Sequence, residues 1–392
     1  MGIHLLKGAD LSTVRIHQGR GIQRDMPRPP DLRQEGYKDQ FDFTTLFYFA
    51  ARAQDGHAHL IGPSFLNFRD HMQAGQYTVV TTGGSRTRIP ANDMKWYDGQ
   101  CQSGVSFPLS PKETCLLEMN LGPLGRHDVP LPGYRGGLFA GKRVAFSMIK
   151  YDQLSWVRDW AEFYARAHGS NAILIYNNQA PNYSSRDIAD ALSGLAEIET
   201  VMVVDWPFKY GPQAAGTGLW DSVFCKTGAF QHARHALLGE AASVVNVDID
   251  ELIVHPAQES IHVAVERADF PYLRIGGIWA CRSAADPSPP ECLSARRHRH
   301  FLHRSSIMPR KCAPKWALVP SACPPESQWV THTVRNWAGL PSEHSEFCFR
   351  HFRDLNSGWK GKRSSLPRKQ FLDDEAIAIY STIDWVQAGD AR

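Results

Sequence analysis

The chain has 392 residues, with 43 Lys and Arg against 40 Asp and Glu, a formal net charge of +3. Charged residues make up 21% and the hydrophobic set 43%, which excludes a wholly disordered chain, a coiled coil and a collagen-like fibre. The length supports an extensive core in one large or two moderate domains, and the near-balanced charge gives no argument for specific nucleic-acid or membrane binding.

No apolar run approaches the roughly 20 residues that span a bilayer. Met1 to Ile22 is broken by Lys7, Asp10, Arg15 and Arg20 and lacks the apolar core of a secretory signal. The expected location is therefore cytoplasmic, with peripheral attachment at the inner membrane face left open. The eight cysteines show neither CxxC spacing nor the density of a disulfide scaffold.

Residues 1–142 are the least regular stretch. Pro27–Pro30, Gly83–Gly84, Pro108–Pro111 and Pro130–Gly133 punctuate it, with short strand candidates at Tyr77–Thr81 and Gly104–Pro108. It reads as an N-terminal extension or small accessory domain, open to an acceptor-enclosing role or a homodimer contact. Regularity begins at Arg143. Val144–Ile149 reads as a buried strand. Leu154–His168 reads as a helix with Trp156, Trp160, Phe163 and Ala167 near one face. Ala172–Tyr176 is the next strand, and Ser184 or Ser185 caps a helix carrying Ile188, Leu192 and Leu195. Strand Glu199–Asp205, a helix within Leu219–Leu238 and strand Ala242–Val247 follow. This alternation predicts an α/β domain with a mainly parallel central sheet and an irregular N-terminal extension. Residues 364–392 read as a partly helical tail.

The fourth strand of this series ends in Val244-Val245-Asn246-Val247-Asp248-Ile249-Asp250-Glu251-Leu252. Residues two apart share a strand face, so Asp248 and Asp250 form a pair that can approach one cation. Hard oxygen ligands suit Mg²⁺ or Mn²⁺, which can also hold a diphosphate. The bare DxD pattern is common on ordinary loops, but here an apolar strand delivers it to the edge where α/β sheets bind ligands.

With this motif the chain resembles the family-2-like and family-92 glycosyltransferases over roughly Arg143–Arg363. The matching segments are Trp160-Ala161-Glu162-Phe163-Tyr164, His168-Gly169, Ile175-Tyr176-Asn177-Asn178, Val204-Asp205-Trp206-Pro207 and Asp248-Ile249-Asp250-Glu251-Leu252. The resemblance implies a GT-A-like Rossmannoid domain over 143–363 and a metal-dependent, nucleotide-sugar-using transferase. Two positions depart from it. Asp152 stands near a usual Asn-Glu pair, and Asn177-Asn178 replaces a usual Asp-Asn.

The resemblance also implies site roles. Asp248 and Asp250, with His332 and His351, are the metal candidates. Asp152, Asn177, Asn178, Asp248, Lys315, Arg353, Lys360 and Arg363 are the donor-binding candidates. Trp279 is the candidate for stacking on an acceptor sugar, against its plain reading as a buried aromatic. Glu251 is available as the general base. The implied reaction moves a sugar from a nucleoside-diphosphate donor to a carbohydrate or glycolipid acceptor with Mn²⁺ or Mg²⁺, with inversion. The competing readings are a non-catalytic carbohydrate- or nucleotide-binding protein and a metal-dependent phosphoester hydrolase. The haloacid-type hydrolase pattern lacks its Gly-Thr, because Glu251-Leu252 follows Asp250.

Overall fold

The computed structural model of the chain describes residues 1–16, 21–98, 103–109, 115–212, 224–283, 296–305, 312–352, 355 and 369–386. Its centre is an eleven-stranded sheet. Strands Gly2–Leu6, Thr200–Asp205, Ala172–Asn177, Arg143–Ile149 and Ser243–Asn246 lie side by side and parallel. Cys312–Leu318 and then Tyr272–Cys281 continue the sheet antiparallel. Glu343–Phe352 pairs parallel with Tyr272–Cys281 and antiparallel with Glu251–Val254. His303–Ser305 and Gln370–Leu372 complete the far edge.

Period-2 alternation sends the parallel strands into two cores. Val144 and Phe146 enter one apolar cluster, and Ala145 enters the other. Both faces of these strands are buried, which is why they read as continuous apolar runs. The Leu154–His168 helix covers one face with Trp156, Trp160, Phe163 and Tyr164. Each such side chain contributes about 1.5–3 kcal/mol by leaving water. The helix stops at Gly169, whose φ of 71° opens a left-handed cap. There the Ser170 N–H reaches back to the Tyr164 carbonyl. Ser184 caps the Ser185–Leu192 helix by accepting from the Asp187 N–H. In the C-terminal stretch, the Asp374–Thr382 helix adds Ala376, Ile379 and Tyr380 to the same cluster as Trp156.

The expected α/β fold class is corrected on two counts. Five pairings of the large sheet are parallel and five antiparallel, so it is mixed. The N-terminal region is also more ordered than an irregular extension. It forms two four-stranded antiparallel sheets around an apolar cluster of its own. One holds Phe49–Arg52, His57–Gly62, Ser103–Pro108 and Lys95–Asp98. The other holds Arg126–Leu131, Cys115–Asn120, Gln76–Thr81 and Arg86–Arg88. Strands make up 36% of the described chain and helices 26%, more β-rich than the GT-A-like Rossmannoid domain that the resemblance implies. The physical reason lies in the turns. Gly84, at φ 81°, turns Gln76–Thr81 back onto Arg86–Arg88, so punctuation that reads as irregularity is hairpin chemistry. Among the described residues no helix is long and apolar enough to cross a membrane.

Candidate functional site

Strand Ser243–Asn246 is clamped between Arg143–Ile149 and Cys312–Leu318. Beyond its end, Val247 and Ile249 remain buried in the core. Asp248 and Asp250, which alternate with them, are only partly buried. The chain tightens where the Glu251 N–H donates to the Asp248 carbonyl at 3.1 Å. Glu251 then opens the Glu251–Val254 strand, opposite His351 in the antiparallel ladder. The Phe352 N–H donates to the Asp250 carbonyl at 2.9 Å. Backbone pairing thus brings together acidic and imidazole groups about a hundred residues apart.

Asp250 Oδ2 lies 3.0 Å from His351 Nε2, and Glu251 Oε1 lies 3.7 Å from His351 Nδ1. Among the described residues these three form a group whose ligand atoms all lie within 4.8 Å of one another. Trp279 stacks on the His351 ring at 4.1 Å, with 23° between the planes. Burial opposes charge on His351, but the Asp250 carboxylate, with Glu251 adding to it, outweighs that effect and pushes its pKa up to about 10.

Asp248 is held differently. Lys226 Nζ reaches its Oδ1 at 2.5 Å and Lys315 Nζ its Oδ2 at 2.6 Å. Lys315 also reaches Glu251 Oε2 at 3.0 Å, and the Asp248 N–H donates to that same oxygen at 3.0 Å. Burial would raise the Asp248 pKa, yet the two ammonium groups hold it well below the usual carboxylate range. For Glu251 burial wins, and its pKa is raised. The Asp152 carboxyl is pushed up to about 7, by burial first and then by Asp250 and Asp248.

The remaining sequence candidates separate. Asn177 donates to Ser185 Oγ at 3.0 Å and accepts from the Ala180 N–H at 2.9 Å, fixing the loop after its strand. Asn178 donates to the Trp206 and Phe208 carbonyls, pinning the next strand's exit. His332 is not one of the three residues of the Asp250–Glu251–His351 group but borders the same site: burial first and then Lys315 and Lys226 push its pKa down to about 4, against Asp248. Gln328–Val334 is a hairpin of Gln328–Val330 and Thr333–Arg335 rather than one strand. His332 sits at its exposed turn, with Nδ1 2.9 Å from the Pro314 carbonyl oxygen. Glu251 is 2% exposed, with its carboxylate engaged by Lys315 and the Asp248 N–H, a poor setting for a base that must meet an acceptor. Arg353, Lys360 and Arg363 lie outside the described residues.

Lys226 is the residue that sequence reasoning missed. It stands between Cys225 and Thr227 in the first turn of the Phe224–His232 helix. A single lysine in an apolar helix carries no local signal.

Two cavities lie away from this cluster. One of about 670 Å³ is lined by Ser12, Arg15, Arg135 and Pro207. Another of about 260 Å³ is lined by His59, Arg234 and His235. The strand end is the stronger candidate site because strongly perturbed, mutually facing titratable groups converge there.

No protein-family model and no curated protein matches the chain. Among solved structures it shows a slight likeness to a Paenibacillus sp. cycloisomaltooligosaccharide glucanotransferase complexed with cycloisomaltoheptaose. That likeness has 9% identity and a TM-score of 0.14, and covers 39% of this chain and 26% of the other. It carries no argument about fold or activity.

Proposed function

We propose that the protein transfers a sugar from a nucleoside-diphosphate donor to a carbohydrate or glycolipid acceptor, assisted by a divalent cation. One observation carries the reading. Asp250, Glu251 and His351 converge beside a lysine-held Asp248, beyond the carboxyl end of a parallel strand. The ordered sequence resemblance over Arg143–Arg363 supports it.

The donor set fits a metal. Two carboxylates and an imidazole suit Mn²⁺ better than Mg²⁺, which prefers oxygen ligands and keeps its waters. Asp250, Glu251 and His351 would hold the ion, and when bound it supplies charge neutralisation for a diphosphate. The protein's own groups do the rest. Lys226 and Lys315 place fixed positive charge beside Asp248, where a departing diphosphate needs it. Trp279 holds the His351 ring in plane through their stack. Asp152, whose carboxyl is pushed up to about 7 by burial first and then by Asp250 and Asp248, borders the same group.

The test is incubation of purified protein with a panel of nucleoside-diphosphate sugars, Mn²⁺, and carbohydrate or lipid-linked acceptors, followed by mass spectrometry. The expected result is an acceptor heavier by one sugar. Free phosphate without glycosylated product would favour phosphoester hydrolysis. Donor binding without product across the panel would favour a non-catalytic binding protein.

A further inference from the structure

Donor capacity separates the two lysines of the site. A protonated lysine offers three N–H donors and no acceptor. Lys315 commits two of them, to Asp248 Oδ2 at 2.6 Å and Glu251 Oε2 at 3.0 Å, and its side chain is 1% exposed. It is fixed by the sheet, opposite Ile275 in the Cys312–Leu318 strand. Lys226 has one carboxylate acceptor among the described residues, Asp248 Oδ1 at 2.5 Å. The Phe230 ring lies 5.8 Å from Nζ and accepts no full hydrogen bond, and His332 lies within electrostatic reach of the ammonium. Lys226 is also the more open of the two lysines, with a side-chain exposure of 9% against 1% for Lys315.

Both ammonium groups bond the one carboxylate of Asp248, and Lys315 alone also bonds Glu251. Lys315 is bonded to two carboxylates and is 1% exposed, so it cannot move toward a ligand without giving up one of those bonds. Lys226 can, because Asp248 keeps the Lys315 bond when Lys226 shares or leaves it. We propose that Lys226 is a direct ligand of the donor's diphosphate, held ready on Asp248, while Lys315 is the positioning residue that fixes Asp248 and Glu251. This rests on the diphosphate-sugar reading given above and adds to it a division of labour between the two lysines.

Calorimetric titration with inorganic pyrophosphate and Mn²⁺ tests the assignment, with thermal unfolding recorded for each protein. Lys226→Met should weaken pyrophosphate binding by about tenfold or more, as loss of a charge-assisted hydrogen bond does. Lys226→Arg should restore most of the loss, which a purely structural lysine would not require. Lys226→Gln serves as the second neutral variant if the methionine protein unfolds. A folded Lys226→Met or Lys226→Gln protein with wild-type pyrophosphate affinity overturns the assignment and leaves the diphosphate reading standing. Wild-type protein that binds neither pyrophosphate nor a nucleoside diphosphate overturns both.

Discussion

Arg350 and His351 are neighbours on one strand, yet they belong to two different kinds of charge cluster. Arg350 is buried and forks onto Asp373 at 2.6 and 2.8 Å, with a further bond to Glu375 at 2.7 Å. Asp373 in turn caps the Asp374–Thr382 helix. That cluster closes on itself and joins a strand to a helix. His351 faces the acidic strand end, where Lys226 has one carboxylate acceptor among the described residues and Asp250 and Asp248 stay partly open. A closed cluster holds the fold, whereas one with spare capacity at a strand's carboxyl end can take a ligand.

Breaking the closed cluster should have the largest effect on stability. Arg350→Ala leaves Asp373 buried without its partner and should lower unfolding free energy by about 3–5 kcal/mol in urea titration. A loss below about 1 kcal/mol would mean that the pair is not structural.

The open cluster should show itself through pH. The His351 pKa is raised from 6.5 to about 10. Its contribution is therefore fully present below pH 6.5 and lost as pH rises through 10. Asp250 shares this interaction, so about 2 kcal/mol is expected across that window rather than the full shift at about 1.4 kcal/mol per unit. His351→Gln should flatten this part of the stability profile, and an unchanged slope would remove His351 as its source.

The smallest effect should come from His332. Exposed at a hairpin turn, it can be replaced by Ala with a stability change within about 0.5 kcal/mol. Manganese affinity should also stay unchanged. A clear fall in that affinity would return His332 to the metal set.

The parts of this molecule legible in its sequence are those governed by local period. The buried Val247 and Ile249 alternating with Asp248 and Asp250 could be read directly, as could the Leu154–His168 helix and its glycine stop. Strand direction could not. Apolar runs such as Tyr272–Cys281 announce burial, but pairing direction is set by long-range connections that no local pattern encodes. In the N-terminal region the strands at Tyr77–Thr81 and Gly104–Pro108 could be read, but their partners, three to six residues long between glycines and prolines, resemble loop. Within the site, the link between His351 and Asp250 was accessible through the resemblance alone, because ladder register brings them together across 101 positions. Lys226 had no signal of either kind.

In the proposed reaction Asp250 and its partners serve transfer from a nucleoside-diphosphate sugar. The most direct measurement is Mn²⁺-dependent release of nucleoside diphosphate in the presence of an acceptor, with wild type and Asp250→Asn assayed side by side. The wild type should turn over and lose that activity on chelation, and a folded Asp250→Asn protein should fall by about a hundredfold or more, as expected when transition-state charge loses its support. Equal turnover in the two proteins would contradict the role of Asp250.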